Sequence, residues 1–204
     1  MSQLIFLLLV CHVLPHGCEQ DQKRLKMTVL YEVLCVDSVD YLTSLLPVFK
    51  KLNGYIDLQL VPYGKASHGG TVCQHGPKEC KGNRIQDCAL HTDMTQLEKL
   101  SYVTCQITNR KLVTKIDTKC IKSSGIKRYI TECMGRNGRS RTYQKQSERI
   151  TNMYEFDQIP AIIYNDDFDE SLQDEATDKL KKSICRAIVE TGIEEPTYCF
   201  KRKH

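Results

Sequence analysis

The sequence lacks an acceptor for N-linked glycosylation, because none of its asparagines begins an Asn-x-Ser/Thr triplet. It also lacks any internal repeat, low-complexity segment or linker of the kind that separates domains. The length of 204 residues allows one well-formed hydrophobic core. We therefore expect a single domain that carries no N-glycans.

Long apolar runs are almost absent. One lies at residues 4–14, within a segment, residues 1–17, that has no charged side chain. It is too short to cross a bilayer and is typical of a secretory signal peptide, with cleavage expected after Gly17. No later run approaches the roughly 18 apolar residues of a membrane span. We predict a signal peptide at 1–17, a single domain at 18–204, no membrane span and secretion to the extracellular space.

Cysteine, in contrast, is abundant. The chain has 11 cysteines, of which only Cys11 lies in the predicted signal peptide. In a secreted chain this density predicts disulfides. Cys18 lies at the expected cleavage point and Cys35 stands apart for reasons given below. The remaining even set comprises Cys73, Cys80, Cys88, Cys105, Cys120, Cys133, Cys185 and Cys199. Their connectivity stays open, because eight cysteines allow about 105 pairings.

The order of predicted elements indicates an α/β fold. Residues 25–34 form a buried-strand pattern, helical spacing follows up to Asn53–Gly54, and residues 56–62 alternate as a second strand. Pro47 predicts a kink in the helix. A strand, a helix and a parallel strand in this order form a right-handed unit.

The rest of the chain completes this pattern. Residues from about 65 to 150 are rich in cysteine and mainly helical, with a helix predicted from Asp93 to about Ile107. Strand character returns at residues 158–164, and the acidic residues 165–170 suggest a hairpin. An amphipathic helix then ends near Gly192, a natural C-cap. This order is that of a thioredoxin-like fold with a cysteine-rich, mainly helical insertion at about 65–150, stapled by disulfides.

Residues 73–88 contain the most specific motif. They match the pattern Cys-Gln-His-Gly-x2-Glu-Cys-x2-Asn-x4-Cys, which resembles the signature of the gamma-interferon-inducible lysosomal thiol reductase (GILT) family. The fixed positions are Cys73, Gln74, His75, Gly76, Glu79, Cys80, Asn83 and Cys88. We expect a cross-linked loop in which His75 fixes a hydrogen bond and Glu79 and Asn83 order the same loop.

The resemblance extends over most of residues 27–200. Residues 29–35, 58–64 and 131–135 are similar to family segments, as is the spacing of Cys185 and Cys199. It implies a thioredoxin-like architecture and a thiol reductase activity. The family enzymes carry Cys-x-x-Cys after the first strand, whereas this chain reads Cys35-Val36-Asp37-Ser38.

This departure bears directly on catalysis. In a dithiol reductase the first thiolate forms a mixed disulfide with the substrate, and the second cysteine then displaces the substrate. Ser38 occupies that resolving position and has no sulfur. A helix N-terminus would favour the thiolate of Cys35, and the charge of Asp37 would oppose it, so we expect moderate activation. Cys35 could act as a monothiol with an external thiol, trap partners as mixed disulfides, or remain unused on a binding scaffold.

Pro160 is a further candidate site residue. Ile159–Pro160 precedes the last predicted strand and resembles the cis-proline that faces the reactive cysteine in thioredoxin-like proteins. There it offers backbone groups to an extended substrate. The alternative is an ordinary proline at the start of a strand. We expect the cis-proline.

A zinc site is an alternative interpretation of part of the motif. Its ligands would come from Cys73, His75, Cys80, Cys88 and His91. The segment has no Cys-x2-Cys pair, and the secretory route favours disulfides. We therefore expect no metal and no cofactor.

A basic stretch is the remaining candidate for binding. It contains Arg136, Arg139, Arg141, Lys145 and Arg149. With the basic tail at 201–203 it could meet an anionic surface such as glycosaminoglycan or a pathogen coat. The alternative is a solvated face, offset by the acidic residues 166–178. Nucleic acid is not expected, because no aromatic platform accompanies the charges.

These features predict a secreted GILT-like protein with impaired dithiol reductase activity. It would act mainly by binding a protein or cell-surface partner, with Cys35 as a residual reactive thiol. The alternative is a monothiol reductase or isomerase that uses Cys35 with an external thiol. Lysosomal residence is implied by the resemblance, but mannose-phosphate sorting depends on N-glycans, for which the chain has no acceptor.

Overall fold

The core of the fold is a three-stranded sheet with helices packed against it. The computed structural model describes residues 23–116 and 119–200, so the predicted signal peptide, Cys18 and the basic tail lie outside the described residues. The strands are β1 (Leu25–Tyr31), β2 (Ile56–Pro62) and β3 (Ala161–Tyr164). The helices are α1 (Val36–Leu52), α2 (Pro77–Leu90), α3 (Gln96–Ile107), α4 (Ser124–Met134), α5 (Ser140–Thr151), α6 (Glu170–Asp178) and α7 (Leu180–Glu190), with a short 3-10 helix at Thr197–Cys199.

β1 is the central strand of the sheet. It pairs in parallel with β2, from Leu25 opposite Ile56 to Tyr31 opposite Pro62, and antiparallel with β3. Nearly all of its side chains are buried, as in a strand covered on both faces. β1, α1 and β2 confirm the predicted strand–helix–parallel strand unit. The first strand ends at Tyr31, so the next residues form the loop that leads into α1.

One face of α1 closes the core beneath the sheet. The buried positions follow the predicted helical spacing and comprise Tyr41, Leu42, Leu45, Val48, Phe49 and Leu52. Pro47 lies on the exposed side, and α1 continues through it as one helix from Val36 to Leu52. The start of this helix is therefore held rigidly by the packing of its body.

The cysteine-rich run is mostly a helix, which corrects the predicted loop. α2 begins at Pro77, a residue suited to the first helical position because the N–H that it lacks would have no helical partner. A disulfide between Cys73 and Cys80 joins the segment before α2 to its first turn. Glu79 and Asn83 consequently lie on a helix, where their spacing places them on one face.

The predicted hairpin after β3 is present only as a tight turn. Tyr164 and Asp167 form an isolated antiparallel bridge with two backbone hydrogen bonds, and α6 then takes the place of a longer second strand. Asn165 and Asp166 adopt left-handed backbone conformations with φ of 52° and 65°. Asp169 then accepts a hydrogen bond from a backbone N–H of the first turn and caps α6. Carboxylates are favourable at a helix N-terminus, so the acidic residues that suggested a turn also begin a helix.

The predicted C-terminal helix is divided in two. Lys179 has φ −126° and ψ 43°, outside the helical region, and separates α6 from α7. At the end of α7, Gly192 donates to the carbonyl of Val189 at 2.8 Å and Ile193 donates to that of Ile188 at 3.4 Å. These two bonds form a Schellman motif and confirm the predicted C-cap.

Four disulfides connect the helices and their flanking segments. They are Cys73–Cys80, Cys88–Cys133, Cys105–Cys120 and Cys185–Cys199. All eight cysteines of the predicted set are therefore paired. The Cys88–Cys133 bond spans 45 residues and joins α2 to α4. Among the helices of the described chain, none is both long and apolar enough to cross a membrane.

Candidate thiol site

The candidate site is the loop at residues 32–35 together with the first turn of α1. Cys35 is the N-cap residue of α1, is partly exposed, and is the free cysteine of the described residues. Its sulfur lies 3.6 Å from the carbonyl oxygen of Ile159, to which the thiol donates. The Ile159–Pro160 peptide bond is cis. The fold thus places Cys35 beside Pro160, although the two are distant in sequence.

The position of Cys35 favours nucleophilic chemistry. The backbone N–H groups at the start of a helix have no intrahelical partners and carry partial positive charge. The sulfur of Cys35 therefore lies at the end of α1 where backbone N–H groups are free to donate. Asp37 is exposed in the same turn and adds the opposing negative charge that the sequence indicated.

Ser38 points into the protein and not toward solvent. It is 0 % exposed, and its hydroxyl oxygen accepts the backbone N–H of Glu32 at 3.3 Å. The hydroxyl therefore closes the loop back onto the start of α1. A side chain of this kind contributes a hydrogen bond to the site but no redox chemistry.

An open cavity of about 390 Å³ adjoins the cis peptide. Its walls come from the first turns of α1, the segment before β3, and α6. Gln173 of α6 donates to the carbonyl of Pro160 at 2.6 Å and accepts from the N–H of Ile162 at 3.1 Å. Asp37, Asp40 and Asp178 make the lining acidic. This cavity offers a polar surface for a chain segment next to Cys35.

Side chains of α2 hold the loop that precedes Cys35. The Asn83 Oδ1 atom accepts the backbone N–H of Val33 at 3.2 Å, and the Glu79 Oε2 atom accepts that of Leu34 at 3.3 Å. Both side chains are fully buried. The sequence predicted that both order their own segment. Glu79 does so by accepting the backbone N–H of His75 at 3.0 Å, and both side chains also hold the loop that precedes Cys35. The signal in the sequence was their four-residue spacing, which places both side chains on the same face of a helix.

α2 approaches this loop closely at Gly82. A Cβ atom added there would lie 2.6 Å from a methyl carbon of Val33 and 2.6 Å from one of Val113. Real Cβ contacts essentially never fall below about 3.0 Å. Glycine at this position therefore permits the approach that brings Asn83 and Glu79 within hydrogen-bond distance of the loop.

His75 extends the same network toward solvent. Its Nδ1 atom lies 2.6 Å from Glu79 Oε2 and 3.5 Å from Glu32 Oε2. Its backbone N–H donates to Glu79 Oε1 at 3.0 Å. Burial and, secondarily, the charge of Glu79 raise the pKa of Glu32. The predicted loop hydrogen bond of His75 is thus made to Glu79, and it places two carboxyl groups close together.

The alternative zinc site of the sequence is wrong. Cys73 is bonded to Cys80, and Cys88 is bonded to Cys133, so none of these sulfurs is a free thiolate. His91 stacks against the ring of Tyr143 with the centroids 3.5 Å apart. Disulfides occupy the cysteines that this interpretation needed.

A second buried polar cluster, missed by the sequence, lies farther along α2. Asp87 is 2 % exposed and accepts from Gln144 at 2.5 Å and from Ser147 at 3.0 Å, both on α5. Burial raises the pKa of Asp87 to about 7, while these hydrogen bonds act in the other direction. No local pattern in the sequence pairs Asp87 with α5, because the contact depends on how the helices pack.

The basic residues lie apart from the thiol, on α5 and the segment before it. Arg136, Arg139, Arg141, Lys145 and Arg149 are all exposed. Three of them recur at four-residue spacing and share one helix face. Glu148, the acid within this stretch, turns inward to accept from Tyr63 at 2.7 Å and from Gly69 at 3.0 Å. The exposed face therefore retains its positive charge.

The fold and the site together define a thioredoxin-like protein with a free cysteine at the start of a helix, beside a cis peptide. The solved structure of an oxidised DsbA1 mutant is similar, with a TM-score of 0.51, 10 % identity, and coverage of 85 % of this chain and 89 % of that chain. At this identity the likeness concerns the fold alone.

Sequence comparisons identify the family. The model of the gamma interferon inducible lysosomal thiol reductase (GILT) family matches residues 26–124. A gamma-interferon-responsive lysosomal thiol protein of Arabidopsis thaliana is 30 % identical over 173 residues, covering 80 % of this chain and 71 % of that protein. A GILT-like protein of Anopheles gambiae is 27 % identical over 198 residues, covering 85 % and 80 %. The chain belongs to the GILT family.

Proposed function

We propose that this protein binds a protein partner through the surface around Cys35 and that its dithiol reductase activity is impaired. Cys35 acts as a residual reactive thiol. The observation that carries the proposal is the environment of Ser38, which is buried and bonded to the Glu32 backbone N–H. The family resemblance places the resolving cysteine of the active enzymes at this position.

The first half of the reaction needs only one sulfur. The Cys35 thiolate attacks one sulfur of a disulfide R–S–S–R′, the bond to R′ breaks, and R′–S⁻ leaves and takes a proton from solvent. The product is a mixed disulfide, Cys35–S–S–R. Its formation consumes no external reductant, because one disulfide replaces another.

The second half needs a thiolate that this segment lacks. A resolving thiolate would attack the Cys35 sulfur and release R–SH. The hydroxyl of Ser38 is not ionised near neutral pH and forms no S–O bond of useful stability. The other cysteines of the described chain are paired in disulfides. The mixed disulfide therefore persists until an external thiol reaches it.

A second candidate function is that of a monothiol reductase or isomerase. The partial exposure of Cys35 at the start of α1 favours it, because both the substrate and a small thiol can reach the sulfur. One molecule of glutathione or cysteine would then release R–SH and remain bonded to Cys35 as a mixed disulfide. A second molecule would release the first as the small disulfide and return Cys35 to the thiol form.

The four disulfides support the proposal that this protein passes through the secretory pathway, and so does the predicted signal peptide at residues 1–17. Secretion is the destination that we propose, since the chain offers no N-glycan for lysosomal sorting. Free thiols are scarce outside the cell, which favours long-lived adducts. The exposed basic face of α5 supports additional contact with an anionic cell or pathogen surface.

The test compares wild type, Cys35→Ala and Ser38→Cys. Reduction of a protein disulfide is measured at pH 4.5 and pH 7 with glutathione or cysteine, and mixed disulfides are quantified by mass spectrometry. We expect wild type to form adducts with little turnover, Cys35→Ala to form none, and Ser38→Cys to turn over at least tenfold faster. Lys51→Cys, an exposed position near the far end of α1 and outside the cavity, controls for the addition of a thiol.

Two results would decide against the proposal. Turnover in wild type that equals Ser38→Cys and disappears in Cys35→Ala would establish the monothiol enzyme instead. Absence of both adducts and turnover in wild type, with full alkylation of Cys35 by iodoacetamide, would show that an accessible thiol takes no part in binding.

A further inference from the structure

Three side chains next to the reactive loop have the composition of a metal site. Glu32, His75 and Glu79 each present one ligand atom, and these atoms lie within 4.8 Å of one another. Glu32 and Glu79 are buried, whereas His75 has 39 % of its side chain exposed. The donor set is therefore two carboxylate oxygens and one imidazole nitrogen, with a route to solvent along the imidazole.

Backbone groups fix both carboxylates. The N–H of Lys65 donates to Glu32 Oε1 at 2.7 Å. Gly64, with φ of 55°, leaves the space that the Glu32 side chain fills, since a Cβ there would lie 2.3 Å from Glu32 Cγ. The N–H groups of His75 and Leu34 hold Glu79. Ligand oxygens oriented by a second layer of hydrogen bonds are typical of metal sites.

One ligand atom is left unused by the protein. Among the residues that the structure describes, the buried Glu32 Oε2 atom has no hydrogen-bond partner. It faces the imidazole of His75 at 3.5 Å, beyond hydrogen-bond distance. A buried carboxylate oxygen without a partner is costly, and a cation between the three groups would satisfy it.

The distances suit a small tetrahedral cation. Zinc lies about 2.0–2.2 Å from nitrogen and oxygen ligands, so ligand atoms around a tetrahedral ion are about 3.3 Å apart. The separation of His75 Nδ1 and Glu32 Oε2 is 3.5 Å. That of His75 Nδ1 and Glu79 Oε2 is 2.6 Å and must widen by a side-chain rotation, which the partial exposure of His75 permits.

We propose that Glu32, His75 and Glu79 bind one divalent transition-metal ion of the zinc type, with water completing a tetrahedron. The site differs from the cysteine-based one considered from the sequence, and from the absence of metal that we expected there. In the occupied site Nδ1 of His75 is the unprotonated ring nitrogen, and the ring proton lies on Nε2. The site is separate from the Cys35 thiol and does not depend on the function proposed for it.

The test is titration calorimetry with zinc chloride on the untagged full chain, with disulfides intact and after removal of metal with a chelator. We expect one Zn²⁺ per chain, bound at least tenfold more weakly by Glu32→Gln and His75→Ala. Cys35→Ser and His68→Asn, which remove two other accessible metal ligands of the described chain, should bind as wild type does. Circular dichroism verifies that each variant is folded.

If a variant fails to fold, the spectrum of cobalt bound to wild type still shows whether the ligands include a thiolate. Co²⁺ added to wild type should give visible d–d bands without the near-ultraviolet thiolate-to-cobalt band. Absence of saturable zinc binding would overturn the proposal and leave His75 and Glu79 as an ion pair. So would a thiolate-to-cobalt band, or zinc binding that Cys35→Ser abolishes and His75→Ala leaves unchanged.

Discussion

Two segments meet around the reactive thiol, and they contribute different things. Residues 35–38 carry the candidate chemistry in two side chains, Cys35 and Ser38. α2 carries the far more specific sequence pattern, yet Asn83 and Glu79 supply the loop at residues 33–34 only with acceptors for its backbone N–H groups. Glu79 also accepts from the backbone of His75, within its own segment. The motif that identifies the family therefore supports the site, and the less distinctive segment determines the reaction.

The difference reflects the number of constraints on each segment. α2 must approach the loop at Gly82 and present the acceptors of Asn83 and Glu79 on one face. A disulfide must also join its first turn to the segment before it. Each requirement fixes a residue type. The segment at residues 35–38 needs a sulfur at the start of a helix, and the residue at position 38 alone decides whether a second sulfur is present there. Perturbing α2 should therefore affect stability, whereas perturbing residues 35–38 should affect reactivity.

The largest effect should come from the disulfide between α2 and α4. Replacing Cys88 and Cys133 by alanine opens a loop of 45 residues and should lower the free energy of unfolding by about 4 kcal/mol. Replacing Cys73 and Cys80 opens only 7 residues and should cost about 2.4 kcal/mol. Urea unfolding without reductant, followed by circular dichroism, measures both.

The two double variants control for each other, since each removes one disulfide of α2. Alkylation of Cys35 by iodoacetamide under native conditions should keep its wild-type rate in the variant without Cys88 and Cys133. Equal losses of stability in the two double variants would contradict the dependence on loop length. Faster alkylation of Cys35 in the variant without Cys88 and Cys133 would show that this disulfide also holds the loop before Cys35.

Much of the fold was predictable because its signals are local. The periodicity of α1, the strand pattern of β2 and the C-cap at Gly192 all depend on neighbouring residues. The division of the last helix at Lys179 was not predictable, because the apolar spacing continues across it. The acidic residues after β3 favour both turns and helix starts, so their pattern predicted the turn at residues 164–167 but not that α6 would replace a longer second strand.

The residues of the site were predictable from the sequence, but the long-range hydrogen bonds between them were not. Cys35 and Ser38 were evident from the family resemblance, and the cysteines of the motif from their density. That Asn83 and Glu79 hold the loop 45 to 50 residues earlier depends on where α2 packs. The contact between Asp87 and α5 likewise spans about 60 residues. Long-range contacts of this kind leave no periodic signal in a single sequence.

Asp87, a residue of α2 that does not contact the loop before Cys35, should make the free energy of unfolding depend on pH. Its pKa in the folded protein is about 7, above the ordinary value of 3.8, because it is buried. The folded state therefore holds a proton that the unfolded state releases, and the free energy of unfolding falls as pH rises between about 4 and 7. The contribution is at most roughly 3 kcal/mol between pH 4.5 and 7.

Asp87→Asn should flatten this slope, as measured by urea unfolding at several pH values. It should not abolish the slope, because the pKa of Glu32 is also raised by burial and contributes with the same sign. Asp174→Asn, an exposed acid on α6, is the matched control and should leave the slope unchanged. An unaltered slope in Asp87→Asn would mean that this carboxyl ionises normally in the folded protein.

Asn83→Ala gives the smallest stability change of the three, and it tests the link between the two segments most directly. The substitution leaves the buried N–H of Val33 without its acceptor, which should cost about 2 kcal/mol. Because the loop then opens more often, Cys35 should be alkylated several-fold faster at constant pH. Lys81→Ala, an exposed position on the same helix, should change neither quantity. Loss of stability with an unchanged alkylation rate would show that Asn83 supports α2 alone, and the loop would then owe its position to Glu79 and to Ser38.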